Sequence, residues 1–139
     1  MKKYIIFTAV LVAATLIAAA DDQMLMEALK GCSHYVSSGS LTTDGVQANS
    51  KGEIVGWEKD KCVYKEAINF SGVNANIMCK FSKPQLDEIT SVMEAYLLVQ
   101  KYSGETPDTS SLDGVQTNPI VRVWNKYVQD PSVCTISTE

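Results

Sequence analysis

Four cysteines constrain the fold of this chain more than any other feature of its 139-residue sequence. They are Cys32, Cys62, Cys79 and Cys134, and an even number in so short a chain is typical of two disulfides in an oxidising compartment. A structural zinc site needs close ligand pairs such as C-x2-C, which this sequence lacks, and the chain has a single histidine. The pattern therefore predicts two disulfides and neither a metal ion nor another cofactor.

The start of the chain has the parts of a secretory signal peptide. Two lysines precede an apolar run over residues 4–18, which ends in small residues just before Asp21. The run is shorter than the ~20 residues that a membrane-spanning helix needs. We therefore expect residues 1–20 to be cleaved and residues 21–139 to form one domain. That domain would be periplasmic or extracellular, without stable membrane insertion.

An amphipathic helix is expected at the start of this domain. Asp22 can cap it, and the apolar residues that follow recur at helical spacing as far as Val36. This spacing predicts a helix over residues 22–37. The stretch from there to Gly52 is polar, with an Asp44-Gly45 turn signal that fits two short edge strands.

Strand patterns follow over residues 53–57, 62–70 and 73–81, separated by short turn sequences. Alternation is clear in the last two strands, and each has one apolar face that includes a cysteine. These two faces are predicted to form the core, and they contain Cys62, Tyr64, Ile68 and Phe70 on one strand and Val73, Ala75, Ile77, Cys79 and Phe81 on the next.

Two further helices are predicted after the strands. Ser82 and Gln85 form a capping box that begins a helix, which reaches about residue 101. A long polar loop over residues 103–117 leads to a third helix that starts at Asn118-Pro119. The sequence thus predicts an α+β domain with an antiparallel sheet of three to four strands. One face of the sheet would be covered by an N-terminal helix and two C-terminal helices, and two disulfides would staple the domain.

The strand register limits how the cysteines can pair. A tight turn between the last two strands places Cys79 opposite Tyr64 and Cys62 opposite Phe81, so a bond between Cys62 and Cys79 is disfavoured. Each of these two cysteines should then bond one partner from outside the hairpin. Two connectivities remain open: 32 with 62 and 79 with 134, or 32 with 79 and 62 with 134.

Two residues are candidates for chemistry, although no catalytic set is recognisable. Glu66 shares the apolar face of its strand with Tyr64 and Ile68, and a carboxyl group buried there would be a candidate site. The more ordinary alternative is a β-bulge or an open end of the sheet that leaves Glu66 in water. His34, the single histidine, falls near the end of the first predicted helix, where imidazole is common without any catalytic role.

The net charge of the chain favours some classes of binding partner over others. The formal net charge is −4, and loss of the signal peptide removes two lysines and no acid, so the exported domain is more acidic still. Acidic surfaces repel phosphate backbones, which disfavours nucleic-acid binding. We therefore expect a small exported binding protein with a protein partner, of which an inhibitor of a basic secreted enzyme is one form. The alternatives are a small hydrolase that uses Glu66 or His34, and a structural component of a cell-envelope assembly with an unprotected edge strand near residues 41–47.

Overall fold

A computed structural model describes residues 22–43, 45–104 and 117–138. The predicted signal peptide, Asp44 of the turn signal and most of the polar loop before the third helix lie outside the described residues. In the three described ranges, no helix is long and apolar enough to cross a membrane.

The described residues form three helices and five strands. In chain order they are α1 (Asp22–Gly31), β1 (Tyr35–Thr43), β2 (Val46–Glu58), β3 (Lys61–Phe70), β4 (Val73–Phe81), α2 (Lys83–Ser103), α3 (Pro119–Val128) and β5 (Cys134–Thr138). The strands make one antiparallel sheet in the order β1-β2-β3-β4-β5. The α+β class and the antiparallel sheet are therefore as predicted.

The predicted strand count and helix placement are wrong. The sheet has five strands among the described residues, not three to four, and the last two helices do not end the fold. Residues 134–138 return to the sheet and pair with β4, so the expected C-terminal tail is an edge strand. An alternating pattern over only five residues is too short to predict a strand by itself. The strand forms here because these residues pair with β4, a contact that the local sequence does not indicate.

Helix α1 ends earlier than its apolar periodicity suggests. It stops at Gly31, and Cys32 has a positive φ of 49°. The Ser33 amide donates to the Ala28 carbonyl at 2.9 Å, which closes the last turn. Val36 continues the helical spacing by coincidence, because residues 35–43 form β1 instead.

The first two strands form a long hairpin that the sequence pattern shows only in part. Strand β2 begins at Val46, and the predicted strand over residues 53–57 is only its last section. Its core-facing positions include Ser50 and Gly52, while β1 turns Ser37 inward. Small and polar residues at these inward positions remove the apolar alternation on which a strand prediction depends.

All three helices pack on one face of the sheet, and the core lies between them. Trp124 of α3 is at its centre, with ring centroids 5.0 Å from Tyr64 and 5.5 Å from Phe81. The other fully buried large side chains are Leu25, Leu29, Ile54, Leu86, Ile89, Met93 and Ile120. The Tyr64 ring meets Trp124 edge-to-face and the Phe81 ring is tilted against it, and aromatic contacts of both kinds stabilise a core beyond the area that they bury.

The predicted caps of the later helices are present. The Ser82 side chain accepts from the Gln85 amide and the Gln85 side chain accepts from the Ser82 amide, which forms the capping box. Helix α2 ends at Gly104 in the left-handed conformation, and Asn118 caps α3 by accepting from the Ile120 amide at 2.9 Å. Local hydrogen-bonding chemistry therefore sets these helix ends.

Two disulfides join the helical layer and the edge strand to the inner strands. Cys32 bonds Cys62, and Cys79 bonds Cys134, with Cα atoms 5.9 Å and 4.0 Å apart. The register pairs Tyr64 with Cys79 and Cys62 with Phe81, as expected from a tight hairpin. One of the two open connectivities is thus formed, with α1 linked to β3 and β5 linked to β4.

Candidate functional site on one face of the sheet

Glu66 is a core residue with a hydrogen-bond partner on its own strand. Its side chain is 2% exposed, and the Tyr64 hydroxyl donates to its Oε1 at 2.6 Å. The expectation that a bulge would leave Glu66 in water is wrong, because β3 pairs regularly at this position with Gly52 and Ile77. The strand β2 does have an irregularity in its pairing with β3, but it lies nearer the C-terminal end of β2. Sequence reasoning missed Tyr64 as a partner, although residues two apart on a strand share a face.

His34 lies on the other side of the sheet from Glu66. It follows α1 rather than ending it, its side chain is 63% exposed, and its Nε2 is 2.9 Å from Oε2 of Glu53. Glu53 pairs with Lys65, whose side chain points away from the core. The structure therefore does not bring the two candidate residues together. An exposed contact of this kind contributes little to stability.

We call the face of the sheet opposite the described helices the open face. Most of its side chains are polar and exposed, and the register places them in cross-strand rows. The central row contains Ser38, Lys51, Ala67, Asn76 and Ser137. The row on one side contains Ser40, Asn49, Asn69 and Asn74, and the row on the other side contains Val36, Glu53, Lys65, Met78 and Thr135.

Ala67 makes the middle of the open face concave. It is the smallest side chain in the three rows and stands between Lys51 and Asn76 on the inner strands. Two depressions of about 430 and 420 Å³ meet here and share Lys51, Ala67 and Asn76 as lining residues. Together they form one shallow depression across the strands, which we call the trough.

The trough is rich in hydrogen-bonding groups. Its lining includes four asparagines, of which Asn69 donates to Asn74 at 2.9 Å. Each amide side chain has two donors and an acceptor, so these groups can accept from a partner's backbone N–H groups and donate to its carbonyl groups. Such a surface fits a polar ligand better than an apolar one.

Lys51, Lys65 and Glu53 are the charged side chains in the three rows of the open face, so these rows have a net positive charge, opposite in sign to that of the whole chain. Lys51 and Lys65 occupy diagonal positions on neighbouring strands, and neither makes an ion pair with a described residue. Side chains at diagonal positions are within reach of a common ligand. Many of the acidic side chains, such as Glu27, Asp87, Glu88 and Glu94, are on the helices. The three helices carry as many basic as acidic residues, and Asp87, Glu88 and Glu94 are paired with lysines, so the described helices have no net negative charge.

A second polar cluster joins α2 to α3 on the helical side. Lys126 donates to both carboxylate oxygens of Glu88 at 2.8 and 3.1 Å, and the Tyr127 hydroxyl donates to Oε1. The Lys126 hydrogen bond, followed by that of Tyr127, lowers the pKa of Glu88. Burial and the bond to Glu88 raise the pKa of Tyr127. Each group has a partner within the cluster, so we interpret it as a link between two helices.

The remaining titratable side chains do not suggest a metal or thiol site. No group of three or more His, Cys, Asp or Glu side chains in the described ranges is placed to hold a metal ion. All four cysteines are in disulfides, so none is a free thiol.

Comparison with protein-family models, curated proteins and solved structures finds no match to this chain. The functional argument therefore depends on the geometry of the site itself.

Proposed function

We propose that this protein is an exported, disulfide-stabilised binding protein that holds a protein partner in the trough. The observation that carries the proposal is the face of the sheet opposite the described helices, where two contiguous depressions are lined mainly by amides, two lysines, Glu53 and a central alanine. Export is inferred from the signal-peptide pattern of residues 1–20, and the two disulfides fit an oxidising compartment.

The chemistry of the trough favours an acidic, extended segment of a partner protein. Lys51 and Lys65 can bind carboxylates, while the asparagine amides can hydrogen bond to a main chain. Among the described strand residues, the aromatic side chains are not in the three rows of the open face, so the trough has no stacking platform of the kind that sugars use. A polypeptide therefore fits better than a saccharide.

Inhibition of a basic enzyme is the form of binding that the net charge alone suggested. The Lys51 and Lys65 side chains that line the trough disfavour a basic partner at this site. We therefore propose the acidic partner for the trough.

A hydrolase is less well supported than a binding protein. Glu66 is buried and bonded to Tyr64, and His34 is on the opposite face beside Glu53. General acid–base catalysis needs its groups within hydrogen-bond reach of one substrate. Glu66 is among the residues that line one depression, but its carboxyl group accepts from Tyr64 on the core side of β3.

Affinity capture from the exported fraction tests the proposal. The disulfide-bonded protein serves as bait at low salt, beside a Lys51→Glu/Lys65→Glu variant that reverses the charge of the trough. A matched control, Lys59→Glu/Lys101→Glu, makes the same change in net charge at two exposed lysines outside the open face. Bound proteins are identified by mass spectrometry and their affinities are measured with purified partner.

We expect the wild-type and control baits to retain the same partner and the trough variant to lose at least about tenfold in affinity, as for removal of charge-assisted bonds. Equal retention by all three baits would contradict a role for the trough. Loss with both variants would show instead that net charge, rather than this site, determines binding.

A further inference from the structure

Among the described residues, the outer edge of β1 has none of the usual protection of an edge strand. Its nine residues, Tyr35–Thr43, contain no charged residue and no proline. Among the described strands it pairs only with β2, so one side of its backbone has no strand partner there. Ser38, Ser40 and Thr42 are exposed, and Val36 is 46% exposed. Edge strands usually carry lysine, proline or a bulge that prevents further pairing.

The distribution of charge within the sheet is the reverse of that protective pattern. Of the five described strands, the inner strands β2, β3 and β4 carry all the charged residues, which include Lys51, Lys65 and Lys80. A strand at the edge with no charge can pair with an identical strand without like-charge repulsion. The other edge, β5, has only five residues and offers about half the length for pairing.

We propose that two copies of this chain associate through antiparallel pairing of their β1 strands about Gly39. Gly39 is the midpoint of Tyr35–Thr43, so this register pairs all nine residues of each copy. Ser38 of one copy then lies opposite Ser40 of the other, and Val36 lies opposite Thr42. The contact is the same from both sides, which is the requirement for a closed two-fold dimer.

This association goes beyond the proposed function because it uses the sheet edge rather than the trough. A two-fold axis perpendicular to the sheet keeps both open faces on the same side. The dimer therefore has a continuous ten-stranded sheet with two troughs facing one direction. A partner with two copies of its binding segment would gain avidity from this arrangement.

A charge swap at Ser38 and Ser40 tests the register directly. The double-glutamate variant, Ser38→Glu/Ser40→Glu, places acids opposite each other at two positions of the dimer. The mixed-charge variant, Ser38→Glu/Ser40→Lys, places opposite charges there. Ser38 pairs with Lys51 in the same sheet, so an acid at this position is compatible with the folded chain in both variants. Circular dichroism melts check that both fold, and light scattering after size exclusion measures their mass.

We expect the wild-type protein and the mixed-charge variant to have twice the mass of the chain, and the double-glutamate variant to be a monomer. Ser137→Glu, which changes an exposed serine on the open face of β5, is the matched control and should leave the dimer intact. A monomeric wild type would overturn the proposal, as would failure of the mixed-charge variant to restore the dimer. Loss of association in Ser137→Glu would also overturn it by indicating head-to-tail pairing of β1 with β5. Ser137 lines the trough and Ser38 is cross-strand from Lys51, so partner binding is tested separately with Lys51→Glu/Lys65→Glu and its control, which leave β1 unchanged.

Discussion

The hydroxyl group of Tyr64 donates a 2.6 Å hydrogen bond to Glu66, and both side chains lie within the core on one face of β3. We predict that Tyr64→Phe lowers the free energy of unfolding by about 1–3 kcal/mol, because it removes a hydrogen bond from a buried carboxyl group. The phenyl ring can keep the edge contact with Trp124. Chemical denaturation at neutral pH measures the loss. An unfolding free energy equal to that of the wild type would contradict this role of the hydroxyl.

The disulfides should make large and separable contributions to stability. We expect Cys32→Ala/Cys62→Ala and Cys79→Ala/Cys134→Ala each to lower the free energy of unfolding by about 2–4 kcal/mol, since each bond closes a long loop of the unfolded chain. The enclosed segments span 30 and 55 residues, so the second bond should contribute slightly more. Denaturant melts of the two variants test the magnitudes. Peptide mapping without reduction tests the pairing, and a Cys62–Cys79 linkage would be the contrary result.

Acid should weaken the link between α2 and α3. The hydrogen bond from Lys126, and then that from Tyr127, holds the pKa of Glu88 below its ordinary value of 4.5. A group whose pKa is lower in the folded state stabilises the fold above its unfolded pKa, and this contribution is lost as the pH falls through the folded pKa. We therefore expect Glu88→Gln to melt below the wild type at neutral pH, and this difference to shrink below about pH 4.5. A difference in Tm that stays constant through the acid range would show that the carboxylate charge is not involved.

The exported protein should begin at Asp21. The apolar run over residues 4–18 and the small residues after it predict cleavage at this position, although these residues lie outside those that the structure describes. N-terminal sequencing of protein recovered from the exported fraction measures the cleavage site. Recovery of most of this material with Met1 or Lys2 at its start would favour an uncleaved leader.

Elements whose ends depend on local chemistry were predictable from the sequence. The capping box of Ser82 and Gln85, the Asn118 cap and the alternation of β4 depend on residues close together in the chain, and the structure contains all of them. Strand β1 was not predictable in this way because Ser37 and Gly39 occupy inward positions where an alternating pattern would have apolar residues.

The trough could not have been predicted because its register depends on one bulge. Near the β2–β3 turn, Glu58 pairs with Lys61, and this register continued without interruption would place Lys51 opposite the core residue Ile68. The irregularity between Ile54 and Gly56 shifts the pairing by one residue, so that Lys51 faces Ala67 on the open face instead. A one-residue shift exchanges the two faces of a strand. No local sequence pattern indicates this change.

Lysine footprinting of the complex tests the central claim, that the trough holds the partner. An amine-reactive label is applied to the free protein and to its complex with the partner recovered by affinity capture, and mass spectrometry quantifies the modification of each lysine. Lys51 and Lys65 report on the trough, and Lys59 and Lys101 are exposed lysines outside it. We predict that the partner protects Lys51 and Lys65 while Lys59 and Lys101 react as in the free protein. Unchanged labelling of Lys51 and Lys65 in a saturated complex would contradict the account.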